Sequence, residues 1–210
     1  MSRLGAPVAL CISGLLVLSA CDSSKSASAA GDTKAAASAT SSPAASGTPE
    51  SVRIGPYTQV FATLLPTNPA QAKVMEGFRE AQILWEKSDN AWHLVAPVTD
   101  YVTGHALTHL VAAMTAGKAR DLVPAGTDRF FMTRVTGITG RKATVTTCDD
   151  GSKFKEENPR TGQVNAAYVP RPDQAYIFET WRMVQLSGHW AITDFSLATL
   201  PDPRAEPCQP

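Results

Sequence analysis

The chain has no excess charge of either sign. Its 19 Lys and Arg residues balance 19 Asp and Glu over 210 residues, the balance persists within residues 51–210, and no basic run or stripe stands out. Such a surface offers no electrostatic grip to nucleic acid or to an anionic bilayer. Cysteine is scarce, at four in the whole chain, and never falls in the close pairs that structural zinc needs. Beyond residue 20 no apolar run is long enough to cross a membrane. A phosphate loop, a dinucleotide fingerprint and the serine or cysteine nucleophile signatures are all missing. So is any internal repeat. These absences remove nucleotide-dependent enzymes, acyl-transfer hydrolases, nucleic-acid binders and solenoids, and they imply no cofactor.

What is present begins at the amino end. Arg3 precedes an apolar run from Leu4 to Leu18, broken only by small residues, Pro7 and Ser13, and closed by Leu18-Ser19-Ala20-Cys21. This is the three-part layout of a cleavable export signal. An aliphatic residue and two small ones before a cysteine match the bacterial lipoprotein box, in which the cysteine takes a lipid before cleavage. The expectation is a signal peptide over 1–20, with the mature chain starting at a lipid-bearing Cys21 on the outer face of the plasma membrane. Multiple acyl chains hold far better than one, at about 0.8 kcal/mol per buried methylene. Cys11 leaves with the signal and Cys21 is lipidated. Cys148 and Cys208 remain, an even pair in an oxidising compartment, and a disulfide is expected.

Residues 21–50 are almost entirely Ala, Ser, Thr, Gly and Pro. They cannot bury a core, so they read as a disordered tether. Residues 51–210 have the length of one domain.

Within that domain a helical half precedes a strand half. Asn68-Pro69 is a helix start, Asn as cap and Pro at the first helical position. Val74, Phe78, Ala81 and Trp85 follow in 4-3-4 spacing, and the helix ends near Ser88-Asp89-Asn90. A second helix is predicted from about Val98 or Thr103 to Ala116, with Leu107, Leu110, Val111 and Met114 as its stripe and Gly117 as its stop. Strands at Arg129–Thr136 and Lys142–Cys148 flank the glycine-bearing connection 137–140. Asp149-Asp150-Gly151 reads as a turn opening a long polar loop. Strands at Ala175–Leu186 and Trp190–Leu200 flank Ser187-Gly188-His189. Helices followed by antiparallel hairpins mean an α+β domain.

Several segments together resemble a family. Tyr101-Val102-Thr103-Gly104-His105-Ala106-Leu107, then Val145-Thr146-Thr147-Cys148-Asp149-Asp150, Thr161-Gly162, Gly188-His189-Trp190-Ala191-Ile192 and Cys208 are similar to secreted actinobacterial lipoproteins with a nuclear-transport-factor-2-like (cystatin-like) domain. The resemblance spans about residues 57–208. It implies a cone in which N-terminal helices lie in a curved antiparallel sheet with a pocket at the open end, and it implies that Cys148 pairs with Cys208. The segment between Asp150 and Ala175 is longer and more charged than the family pattern. The wider fold serves isomerases, cyclase-like enzymes, dehydratases and binding modules alike, so fold does not carry activity.

Four sets of residues invite chemistry. His105 and His109, four apart, share a helix face, but no Glu follows His105 and the further ligands would have to come from elsewhere, with Asp100 or His93 the only nearby suggestions, so no metal site is assigned. An isomerase-like site requires an inward carboxylate and a ring hydroxyl, for which Asp194 and Tyr101 are the candidates. Asp149-Asp150-Gly151 lacks the alternating acids of a calcium loop. Trp85, Phe131, Trp181 and Trp190 either line a pocket or fill the core. The reading is a membrane-anchored, non-catalytic binding or accessory module for an envelope protein or a small apolar ligand. The alternative is a small isomerase- or cyclase-like enzyme, and no nucleic-acid partner is expected.

Overall fold

A computed structural model describes residues 49–210. The signal segment, Cys21 and the tether up to residue 48 lie outside the described residues.

The described chain opens with a hairpin, β1 (Glu50–Ile54) and β2 (Tyr57–Phe61), turned at Gly55-Pro56 with Gly55 at φ +58°. Along β2, Tyr57, Gln59 and Phe61 are buried and the residues between them less so. The domain is α+β, but the expectation that helices come first is corrected by this hairpin. Five-residue strands carry too few alternations to stand out from a polar leader.

Helix α1 (Pro69–Ala91) starts where expected, with the Asn68 side chain accepting from the Ala70 and Gln71 N–H groups at 3.0 and 3.1 Å. Such a cap contributes about 1 kcal/mol. Val74, Phe78, Ala81 and Trp85 are all buried, and Met75, Gln82 and Leu84 join them, so the covered face is wider than the stripe. The helix ends at Trp92 in the left-handed region, whose indole Nε1 donates to Leu122 O at 2.9 Å.

The second helix is broken in two, α2 (Val98–Tyr101) and α3 (Gly104–Arg120). Between them Val102 bridges to Ile192, and the Thr103 N–H donates to Ile192 O at 2.9 Å. Gly104 takes φ +58°, and a Cβ there would stand 2.9 Å from Thr193 O. The Tyr-Val-Thr-Gly segment is thus a docking joint that only glycine can close. Gly117 does not stop the helix, which continues to Arg120 and is capped by Asp121. Its glycine is needed for close approach, since a Cβ would lie 3.0 Å from Leu122 O. Leu110 and Met114 are buried as expected, whereas Val111 is exposed.

The remaining strands are β3 (Val123–Thr139), β4 (Lys142–Glu157), β5 (Tyr176–Leu186) and β6 (His189–Ala198). They form one sheet in the order β1-β2-β3-β4-β5-β6. Only the β2–β3 pair is parallel, running from Tyr57 opposite Gly126 to Phe61 opposite Phe130. Register shifts interrupt β3–β4 and β5–β6, and such bulges bend and twist a sheet. The consequence is visible in the contacts of α1, which touches β1, β3, β4 and β6, strands from one edge of the sheet to the other. The sheet curls around this helix.

Asp149-Asp150-Gly151 is not a turn. It lies inside β4, with Asp149 opposite Phe130 on one side and Ile177 on the other. Cys148 and Cys208 form the disulfide, with Cα atoms 5.3 Å apart. It fastens the 3-10 segment Pro203–Cys208 to β4, and closing a loop of this length stabilises a fold by about 4 kcal/mol.

Candidate functional site

Between α1, α3 and the concave face of the sheet lies a cavity of about 330 Å³. Helix α1 contributes Trp85 of the apolar stripe and, beside it, Gln82, Glu86 and Asp89 in a second 4-3 row, and α3 contributes His109 and Ala113. The strands supply Tyr57 from β2, Asp128 and Phe130 from β3, Asp149 and Phe154 from β4, and Glu179 and Trp181 from β5. Phe195 and Leu197 of β6 complete it. Alternation explains why these residues converge. Tyr57 is inward on β2, Asp149 is inward with Ala143, Val145 and Thr147 on β4, and Glu179 shares its face with Trp181 and Met183.

Among the described residues, five carboxyl groups therefore face one small space, and no Lys or Arg lines it. Two are held by ring donors. Tyr57 Oη donates to Asp128 Oδ2 at 2.9 Å, and Trp181 Nε1 donates to Glu179 Oε2 at 2.8 Å. Other polar atoms are buried with no partner among the described residues: Asp128 Oδ1, Asp149 Oδ1, Glu86 Oε2 and the Gln82 amide nitrogen. Gln59, on the same face of β2 as Tyr57, has neither amide atom partnered.

Burial disfavours charge, and neighbouring acids add to the penalty. Asp128 is pushed up to about 7 by burial, against the Tyr57 hydrogen bond and with help from Asp150. Glu179 is pushed up to about 8 by burial, against the Trp181 hydrogen bond and with help from Asp128. Glu86 and Asp149 lie well above the ordinary carboxylate range, burial first and acidic neighbours second. Asp89, at the edge, rises to about 6 because burial and Glu156 outweigh Arg120. The Tyr57 hydroxyl is raised too, by burial and then by the acids around it. At neutral pH this site is a store of protons, with donors and acceptors side by side.

The walls are aromatic. Trp181 stacks on Phe195 with centroids 4.8 Å apart, and Trp85 meets both edge-on at 6.2 and 5.9 Å. His109 stands against Phe195 at 5.0 Å.

The structure brings together only part of the set picked from sequence. Trp85 and Trp181 line the cavity. Phe131 faces away, with the Arg129 guanidinium 5.3 Å from its ring centre. Trp190 is buried against Gly77. It also borders a separate groove of about 370 Å³ with Tyr101 and Lys73, and there Tyr101 stacks on His189 at 4.6 Å. Asp194 does not point inward. It lies on the outside, bonded by Arg182 and by His105 Nδ1 at 3.1 Å. Burial raises its carboxyl, but the hydrogen bonds from Arg182, His105 and the Phe195 backbone together hold it below the usual range. The hydroxyl–carboxyl pair sought in Tyr101 and Asp194 exists instead as Tyr57 and Asp128. His105 and His109 are both exposed and both stand against Phe195, at 6.2 and 5.0 Å, but His105 turns to Asp194 while His109 borders the cavity. Among the described residues no group of three or more His, Cys, Asp or Glu is arranged to hold a metal ion.

Sequence reasoning missed Tyr57, Gln82, Glu86, Asp128, Asp149 and Glu179. Three of them left a trace. Glu179 interrupts an otherwise apolar inward row, Ile177, Trp181 and Met183. Gln82, Glu86 and Asp89 repeat the helical spacing next to the stripe.

No protein-family profile matches the chain, and no curated protein matches it. Solved structures do. A ketosteroid isomerase-like protein from Erwinia carotovora atroseptica is 15% identical with a TM-score of 0.39, over 63% of this chain and 98% of that one. An NTF2-like protein with a cystatin-like fold from Novosphingobium aromaticivorans is 13% identical with a TM-score of 0.39, over 64% and 88%. A putative aromatic ring hydroxylase from the same organism is 11% identical with a TM-score of 0.42, over 60% and 89%. Likeness at this level carries no activity across.

Proposed function

We propose that the chain is a lipid-anchored extracytoplasmic protein, of the kind seen in actinobacterial lipoproteins with an NTF2-like cone, and that its domain holds a small molecule without transforming it. The observation that carries this reading is the cavity itself. Its size lies in the range of small-ligand sites, its walls are aromatic, and four of its buried polar atoms lack partners among the described residues. Each such unpaired group costs a fold about 1–3 kcal/mol, a cost that a bound ligand would offset. The earlier expectation of an apolar ligand is sharpened to one with a polar end. Native mass spectrometry of the full chain released gently from detergent tests it. A retained mass, lost in Trp181→Ala, is the expected result, and a clean unliganded mass after extraction from native membranes counts against it. The anchor is tested by Cys21→Ala, which should abolish acylation. Processed mutant protein that stays in the membrane fraction would overturn it.

One observation favours a second reading, an isomerase-like enzyme. Tyr57 and Asp128 place a hydroxyl and a carboxyl that titrates near neutrality in one apolar-walled space, the pairing that proton abstraction beside a carbonyl requires. Deuterium exchange at the carbon next to the carbonyl of a cyclic ketone, lost in Asp128→Asn, would support it. Absence of exchange across a ketone series would remove it.

A further inference from the structure

We infer that the ligand of this cavity is a compact organic cation, a substituted ammonium that also carries a hydroxyl or carbonyl oxygen. The inference rests on the binding reading above and names its ligand class.

Charge is the first argument. Among the described residues, the titratable side chains facing the space are Glu86 and Asp89 from α1, His109 from α3, Tyr57 from β2, Asp128 from β3, Asp149 from β4 and Glu179 from β5, with no Lys or Arg. An anion entering here meets acids on every side. A cation supplies the missing counter-charge and lets the carboxyls ionise.

The walls say what kind of cation. Trp85, Trp181, Phe130 and Phe195 border the same space, and aromatic faces attract ammonium groups, the more so where water is excluded. A bare metal ion is the wrong shape for about 330 Å³, and among the described residues no three carboxyl or imidazole groups are set to ligate one. An ammonium with a hydrocarbon body uses both the acids and the rings.

A third, independent feature is Gln82. Its side chain borders the cavity, the residue is 3% exposed, and its amide nitrogen has no acceptor. A buried donor that finds no acceptor in the protein calls for one on the ligand. That is why the cation carries an oxygen.

Binding is then coupled to proton release. Burial puts Asp128 and Glu179 near 7 and 8, and Glu86 and Asp149 above the ordinary range. A cation favours their ionised forms, so the proton passes to solvent and affinity rises with pH between about 6 and about 8.

The test uses the full chain in detergent micelles, with calorimetry and the fluorescence of the cavity tryptophans as readouts. The probes are choline and its uncharged isostere, in which a quaternary carbon replaces the nitrogen. Choline should bind at least about tenfold more tightly than the isostere. It should release protons in buffers of differing ionisation enthalpy and weaken as pH falls. Glu179→Gln and Asp149→Asn, which keep shape and lose charge, should reduce that preference severalfold. Asp194→Asn, outside the cavity, should leave it unchanged. An isostere that binds as tightly as choline overturns the cationic class while leaving a ligand pocket standing. Failure of both probes overturns the cationic inference, and a clean native mass in addition overturns the pocket.

Discussion

Two acidic sites in this domain use the same residue types to opposite ends. On the outer surface, Asp194 is bonded by Arg182 and His105 and ionises more readily than usual. In the cavity, Glu179 and Asp149 face only rings, amides and other acids, and they hold their protons. What differs is which strand face carries the acid and what stands opposite. Asp194 pairs across β5–β6 with Arg182, whose side chain is exposed. Glu179 lies three residues before that arginine, on the inner face, beneath α1. An acid on the outer face gives an ordinary surface ion pair. An acid on the inner face gives a chemical site.

The sharpest way to break the contrast is Trp181→Ala. It deletes a wall of the cavity and the donor to Glu179, and it should cost about 3–5 kcal/mol in denaturant unfolding. A cost below about 1 kcal/mol would mean that the wall carries little of the core.

The next effect lies in pH. Glu179 is raised from 4.5 to about 8 in the folded chain. Below its unfolded value both states hold the proton, and as pH rises towards about 8 the unfolded state alone gains by ionising. Folding stability contributed by Glu179, and by Glu86, Asp128 and Asp149 with it, should therefore fall as pH rises through that window. Asp194 has the opposite sign, losing its contribution as pH drops through its lowered value. Thermal midpoints should be highest in mildly acidic buffer, and Glu179→Gln should recover about 1–3 kcal/mol near pH 9. A midpoint that climbs steadily from pH 6 to about pH 9 contradicts the buried acids.

The smallest effect belongs to the outer pair. Arg182→Gln should cost under about 1 kcal/mol, and less in high salt, because exposed ion pairs are screened. A loss that ignores salt would show that Arg182 acts through packing.

The parts of the fold that could be read in the sequence are those with local causes. Asn68-Pro69 declares a helix start through its own cap, and the Val74, Phe78, Ala81, Trp85 spacing declares the buried face. The turn at Ser187-Gly188 is equally local, with both residues at positive φ. The cavity could not be read this way because its residues meet only through non-local pairing. Asp149 looks like a turn residue until Phe130 and Ile177 are placed on either side of it. Tyr57 sits in a strand too short to announce itself and reaches Asp128 only because β2 runs parallel to β3. Asp194 drew attention for its apolar neighbours in sequence, but a strand that is apolar on both faces does not say which side an acid takes.

Gly77 has a consequence for how far the cavity can close. The place where its side chain would begin is already taken, 2.7 Å from the Trp190 backbone oxygen, so α1 and β6 are in contact with no slack between them. Gln82, Glu86 and Asp89 lie one to three turns further along the same rigid rod. Contact this close resists any further settling of α1 onto β6 at Gly77, so the chamber beside Gln82, Glu86 and Asp89 cannot shrink by that route and keeps its width at this end of the helix.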